Sequence, residues 1–376
     1  LTKKVPGPSR QETQGLNREI GFAKDIYRWK QSYVGKLLPE GDFPVIQRKF
    51  LLIVAGLSLV IPLRLAVAWQ APGDPPASGP AGDLSRTASS YWVLSTREIA
   101  TDDIQAGVTT RLQCYRADQG GCLSKNDPSA LAEEIRQIPR LVVYLPGNRS
   151  DLSVAHSQGW QLYRDLRRNS PGAFLVFVVW SWPSDRVTLG QRSDIWIKAC
   201  RADHEAYILA EWITGLPAET HMTLVSYSLS ARVVAGASHL LAGGELAGRT
   251  VSPPAREKLP VLKSLWAGAA IDAHSLGPGQ QFGRALEPLR ELVLTVHPRD
   301  RLLRLYPLLY GLRGPEALGV VGPTALADEM ARKVEILPLS QWAAPSHAWE
   351  IYFRALPVQA RLEQMVWESS PSPVDN

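Results

Sequence analysis

Residues 221–244 read His-Met-Thr-Leu-Val-Ser-Tyr-Ser-Leu-Ser-Ala-Arg-Val-Val-Ala-Gly-Ala-Ser-His-Leu-Leu-Ala-Gly-Gly. The short apolar run 222–225 fits a buried strand. Residues 229–242 have helical spacing and stop at Gly243 and Gly244, the residue type that most often follows a helix end. Ser228 stands at the join. A serine on a sharp strand-to-helix turn projects its hydroxyl above the sheet, and the backbone N–H of the next residue, Leu229, can face a developing negative charge. Such turns usually carry glycine two positions either side of the serine, which relieves crowding between strand and helix. Here those positions are Ser226 and Ser230. A small-x-Ser-x-small pattern also occurs in ordinary serine-rich turns, so the rest of the chain must decide.

Outward from this stretch, apolar runs alternate with helical spacing. Upstream, 140–145 reads as an apolar strand ending in Pro146-Gly147-Asn148-Arg149, with a helix following to about 168. Another strand, 173–180, ends in Trp182-Pro183-Ser184. A long helix, 193–216, carries Ala202, Ala206, Leu209, Ile213 and Leu216 at alternating spacings of four and three. Downstream, 262–271, 292–297 and 334–337 read as strands, with helices between most of them and a last helix near 359–366. Before 140, residues 91–95 and 109–115 read as edge strands and 131–138 as a short helix. Continuous apolar strands alternating with helices predict an α/β fold: one mostly parallel sheet covered on both faces, a single domain over 91–376.

In open α/β sheets, ligands bind beyond the carboxyl ends of the strands. Ser228, Asp300 and His347 each follow a candidate for such an end, in the order nucleophile, acid, base. A serine hydroxyl is a weak nucleophile at neutral pH. It needs an imidazole to take its proton and a carboxylate to hold the imidazole's tautomer. Asp272, after the strand next to the serine, is the alternative acid, and His274 and His297 compete with His347. Gly147 and Asn148, in a tight turn after the 140–145 strand, can supply a backbone N–H that joins that of Leu229 in an oxyanion hole. Arg149 reads as a loop ion-pair partner, and Trp180, Trp182 and Trp342 as core or rim.

These features resemble the α/β-hydrolase superfamily, and more narrowly a bacterial branch of it with no assigned activity (domain of unknown function 900). The resemblance is carried by Ser95-Thr96-Arg97, Gly147-Asn148-Arg149, Trp182-Pro183-Ser184, Ser228 with Ala231-Arg232-Val233, Asp300-Arg301-Leu302-Leu303 and Ser346-His347. It covers roughly 91–366. It implies an α/β-hydrolase fold and a serine hydrolase acting on a small-molecule or lipid-like ester, without metal or organic cofactor. Two departures bear on the oxyanion hole and the turn: Pro146 stands where the family has histidine, and serines flank Ser228. They keep a second expectation open, a catalytically silent fold that binds at the cell envelope. An acyltransferase using the same three residues is a third.

Composition places the rest. The 376 residues carry a net charge of +5, and residues 1–49 hold ten basic and five acidic side chains. The remainder is neutral, so the basic balance belongs to a tail and gives no sign of a nucleic-acid-binding body. Residues 1–47 read as that tail, cytosolic or upstream of the true start. Arg48 and Lys49 precede the apolar runs 50–63 and 65–69, interrupted by Arg64. Residues 48–69 are expected to be a signal peptide or membrane anchor, with membrane contact through 50–69. A Pro/Gly/Ala linker, 70–90, follows. This predicts an exported or tethered body with the N-terminus inside. Cys114 and Cys122 are either a small disulfide loop or free thiols.

Overall fold

The structure, a computed structural model, describes residues 89–368 apart from 101–103, 171, 188–190, 253–255 and 312. The chain divides into two units, Leu1–Leu84 and Ser85–Asn376, and the described residues belong to the second. The basic tail, the 48–69 segment and nearly all of the 70–90 linker lie outside the described residues. Among the described residues, no helix is long and apolar enough to cross a membrane.

Nine strands form one sheet: β1 (Ser90–Ser95), β2 (Gln113–Ala117), β3 (Leu123–Asn126), β4 (Arg140–Leu145), β5 (Val176–Ser181), β6 (His221–Tyr227), β7 (Val261–Ala267), β8 (Leu289–Val296) and β9 (Val334–Pro338). Their order is β3-β2-β1-β5-β4-β6-β7-β8-β9. The β1–β2 and β2–β3 pairs are antiparallel and the others parallel. Helices are α1 (Pro128–Gln137), α2 (Leu152–Asn169), α3 (Gln191–Thr214), α4 (Ser230–Leu241), the short α5 (Leu318–Val321) and α6 (Asp328–Ala331), α7 (Trp349–Phe353) and α8 (Leu356–Trp367). The mostly parallel α/β architecture expected from the strand–helix alternation is present.

The strand order places the site. From β4 the chain goes through α2 to β5 on one side, then returns through α3 to lay β6 on the other side of β4. Right-handed crossovers in opposite directions put α2 and α3 on opposite faces and open a crevice between the carboxyl ends of β4 and β6. Strand periodicity fills both faces. Leu141, Val143 and Leu145 of β4 share a core with Ala206, Leu209 and Ile213 of α3. Val142 and Tyr144 share the other with Ala155, Leu162 and Leu166 of α2 and Val358 and Leu362 of α8. A bidentate pair ties α4 to α3: Arg232 donates from Nε and a terminal nitrogen to the two carboxylate oxygens of Asp203, 2.8 Å each.

Several expectations are corrected. Residues 91–95 are not an edge strand. β1 is paired on both sides and buried along its whole length. The edge on that side of the sheet is β3, a short polar strand that the sequence reading passed over; short, charged edges resist pairing with other chains. Val108–Arg111 is a 3₁₀ turn, so the second strand begins at Gln113. β7 stops at Ala267 rather than 271, and 268–288 run as turns without a regular helix. Cys114 and Cys122 are free thiols. The β2–β3 register sets Cys114 opposite Asn126, while the Cys122 carbonyl accepts from Asp118 N at the hairpin end. Four residues of strand, roughly 13 Å, separate the two.

Candidate active site

Ser228 lies between β6 and α4 with φ +58°, a left-handed conformation that a non-glycine residue adopts at a cost of about 1–3 kcal/mol. Its main chain is held there by the end of β7: Ser228 N donates to Ala267 O at 2.8 Å, and Ser228 O accepts from Ala270 N at 3.1 Å. Ser230, in place of a glycine, is itself a fastener. Its hydroxyl accepts from Tyr227 N at 2.9 Å and reaches Leu145 O of β4 at 2.8 Å. Ser226 is small and fully buried, and its hydroxyl has no partner among the described residues. Serine therefore meets the steric demand of both flanking positions, and at 230 adds hydrogen bonds that glycine lacks.

His347, in the loop between β9 and α7, brings Nε2 to 2.8 Å from Ser228 Oγ and Nδ1 to 2.6 Å from Asp300 Oδ2. Asp300, four residues past β8, is fully buried. Its Oδ1 accepts from Leu302 N and Leu303 N at 2.9 Å each, and its Oδ2 also accepts from Tyr352 OH at 2.5 Å. Burial alone would raise the Asp300 pKa. The His347 hydrogen bond and charge, the Tyr352 hydroxyl and the Leu303 amide overcome this and hold it below the usual carboxylate range. An ionised carboxylate only accepts, so Nδ1 carries the proton and Nε2 is left as the acceptor for the Ser228 hydroxyl.

Two tyrosines fix the imidazole. Tyr227 stacks on His347 with ring centroids 5.4 Å apart, and its hydroxyl donates to the His347 carbonyl. Tyr352 stands edge-on to the same ring at 5.7 Å. Burial drives the pKa of both phenols upward, so they remain donors at neutral pH. Gly268, φ +58°, makes room: a Cβ there would come within 2.8 Å of the Tyr352 ring and 3.1 Å of His347 Cε1.

No protein-family model matches this chain, and no curated protein matches it. The chemistry has to be read from the site.

The turn 146–150 follows β4 and packs against the end of β6 at Tyr227. The β4–β6 register pairs Leu145 with Ser226, and Gly147 packs so closely on Tyr227 that a Cβ would lie 2.7 Å from its ring and 3.2 Å from its carbonyl oxygen. The turn is fastened from outside. Trp182 Nε1 donates to Pro146 O at 2.9 Å, Arg149 N to Ser184 O at 2.7 Å, and Ser184 Oγ to Ser150 O at 3.0 Å. Arg97 donates to Ser150 O at 2.6 Å and to Ser181 Oγ at 2.8 Å, and pairs with Asp185. Arg149 takes φ +63°. The backbone N–H groups of Gly147, Asn148 and Leu229 have no acceptor among the described residues. Three of the quoted motifs, Ser95-Thr96-Arg97, Gly147-Asn148-Arg149 and Trp182-Pro183-Ser184, thus meet at one turn.

The rival residues lie elsewhere. Asp272 accepts from its own neighbour, His274 N at 2.8 Å, and stands 3.2 Å from the His274 ring. His297 is buried and its Nε2 is 2.9 Å from Ala344 O, so it braces the loop that carries His347. Arg149 Nε lies 4.0 Å from Asp194, a loose ion pair. Trp180 and Trp182 are core; Trp342 is exposed. Among the described residues, no three His, Cys, Asp or Glu side chains gather where a metal ion could be held. A cavity of about 560 Å³, lined by Arg140, His221 and Lys263 among others, opens at the amino ends of the strands, opposite the triad. Its lining holds no set of groups suited to bond cleavage.

Four side chains at the site escaped the sequence reading: Tyr227, Tyr352, Asp194 and Lys198. Asp194 and Lys198 are an i,i+4 pair on α3, which by spacing suggests a solvated helix face. Both are fully buried instead, their side chains 2.7 Å apart. Tyr352 has no signal in sequence at all beyond standing five residues after His347.

Proposed function

We propose that the folded body is a serine hydrolase of the α/β-hydrolase type, cleaving carboxylic esters through an acyl-enzyme. The observation that carries this is the continuous hydrogen-bonded line Ser228–His347–Asp300, with both contacts within 2.6–2.8 Å. His347 Nε2 takes the Ser228 proton as Oγ attacks the ester carbonyl, and returns it to the departing alkoxide. Asp300 keeps the tautomer and stabilises the imidazolium. The carbonyl electrons move onto oxygen, where Leu229 N–H and the 147–148 turn donate. Water then attacks the acyl-enzyme by the same proton path in reverse.

The rim supports an apolar substrate. Leu302 and Leu305, 57% and 52% exposed, follow Asp300 directly, and Trp342, 55% exposed, precedes His347 by five residues. Apolar groups on the two loops that deliver acid and base favour an ester with a hydrocarbon arm.

Labelling with a fluorophosphonate serine probe tests the reading. The full chain is expected to be labelled, and Ser228→Ala and His347→Ala are expected to lose labelling to the same degree, the double variant little further. A folded protein that the probe does not label would make the silent binding fold the better account.

A further inference from the structure

Lys198 and Asp194 are fully buried, and a buried ion pair contributes little net stability against its desolvation. One proton of the Lys198 ammonium goes to Asp194 Oδ2 at 2.7 Å. A second goes to Asn148 Oδ1, also at 2.7 Å. Asp194 Oδ1 is held in turn by Val187 N at 2.7 Å. An ammonium only donates, so the Asn148 atom facing it is the oxygen, and the amide nitrogen Nδ2 points the other way. That nitrogen has no acceptor among the described residues.

The bond to Lys198 is not needed to shape the turn. Trp182, Ser184 and Arg97 already fix its backbone through Pro146 O, Arg149 N and Ser150 O. What Lys198 adds acts on the Asn148 side chain alone. It fixes the amide's orientation, and a cation on the amide oxygen draws electron density from the nitrogen and strengthens its N–H groups as donors.

We propose that the Asn148 side-chain amide is an oxyanion-hole donor additional to the backbone N–H groups, and that Lys198, anchored by Asp194, is its positioning residue. The proposal rests on the serine-hydrolase reading. As Ser228 Oγ bonds to the carbonyl carbon and its proton passes to His347 Nε2, the carbonyl electron pair becomes the oxyanion. Asn148 Nδ2–H donates to that oxyanion, and no bond in Asn148 or Lys198 is made or broken.

The full chain is titrated with a fluorophosphonate probe, and the maximal inactivation rate is separated from the probe's half-saturation concentration. Asn148→Ala keeps the backbone N–H and removes the amide. It is expected to slow the maximal rate about a hundredfold, the usual scale for one oxyanion donor, with half-saturation within about threefold. Asn148→Asp keeps an oxygen for Lys198 but has no N–H, and is expected to stay as slow. Lys198→Met is expected to lose about tenfold alone and nothing further when added to Asn148→Ala. Should Lys198→Met not fold, Lys198→Met/Asp194→Asn replaces it.

Wild-type rates in Asn148→Ala, or recovery in Asn148→Asp, would overturn the donor role. A Lys198 loss that multiplies with that of Asn148→Ala would overturn the positioning role. Ser228→Ala run alongside separates the layers. If it labels like the parent, the hydrolase reading falls and takes this proposal with it. If it is silent while Asn148→Ala is unaffected, only the proposal falls.

Discussion

The Asp300 carboxylate accepts four hydrogen bonds while fully buried, and three of them come from outside the nucleophile–base–acid line: two backbone amides and the Tyr352 hydroxyl. Tyr352 OH shares Oδ2 with His347 Nδ1, so it spreads the negative charge that the imidazolium faces. Removing that hydroxyl leaves Oδ2 to His347 Nδ1 alone and loosens the carboxylate that orients the imidazole. Tyr352→Phe is therefore expected to slow turnover severalfold at neutral pH. A variant with the parent's turnover would show that the phenol only packs. The stability effect has its own sign. A depressed Asp300 pKa contributes stability above the unfolded value of about 3.8 that is lost as pH falls through the folded value. The variant should thus be less stable than the parent at neutral pH, with the gap closing in acid.

At the scale of elements, α3 carries an unusual load of buried charge: Asp194, Lys198, Asp203 and Glu205. Glu205 packs beneath the β1 and β5 ends, taking Thr96 Oγ1 at 2.9 Å and Trp180 Nε1 at 3.1 Å. Burial pushes its pKa from 4.5 up to about 7, against those hydrogen bonds and the charges of Arg97 and Arg201. Between these two pH values the folded protein holds a proton that the unfolded chain has released, so this group's contribution falls as pH rises through the window. The full swing is of order 3 kcal/mol. His204 next to it, pushed down to about 4 by burial, slopes the opposite way. The test is therefore the difference between Glu205→Gln and the parent in urea midpoints at pH 4.5 and 8. The variant is expected to gain on the parent as pH rises, and a constant difference would refute the assignment. These side chains also show why α3 was only half legible. Its apolar stripe of Ala202, Ala206, Leu209 and Ile213 marks it as a helix, but spacing cannot say that the charged residues beside that stripe, Asp194, Lys198 and Glu205, are buried with it. The β4, β6 and β8 runs were legible because strands covered on both faces are apolar throughout. The edge β3 has neither apolar run nor alternation, so only pairing with β2 makes it a strand.

For the whole molecule, we propose a topology in the cell from the charge and hydropathy of the sequence. The body from 50 onward is neutral, whereas 1–49 concentrate the +5 immediately before the apolar runs 50–63 and 65–69. Basic residues beside an apolar segment are retained on the cytoplasmic side, and the chain after it crosses. On this proposal the α/β body would work outside the membrane. A free, exposed Cys122 and a buried Cys114 do not enter that argument, because the hairpin register keeps them apart in either compartment. Two reporters fused to the carboxyl end of the full chain decide it, one active only outside the cytoplasm and one only inside. The first is expected to be active and the second silent. Replacing Leu52, Val54 and Leu57 by Asp breaks the apolar run and is expected to reverse both signals. Cytoplasmic activity of the unaltered fusion would overturn export while leaving the site chemistry untouched, since the Ser228–His347–Asp300 line is built wholly from residues after 227.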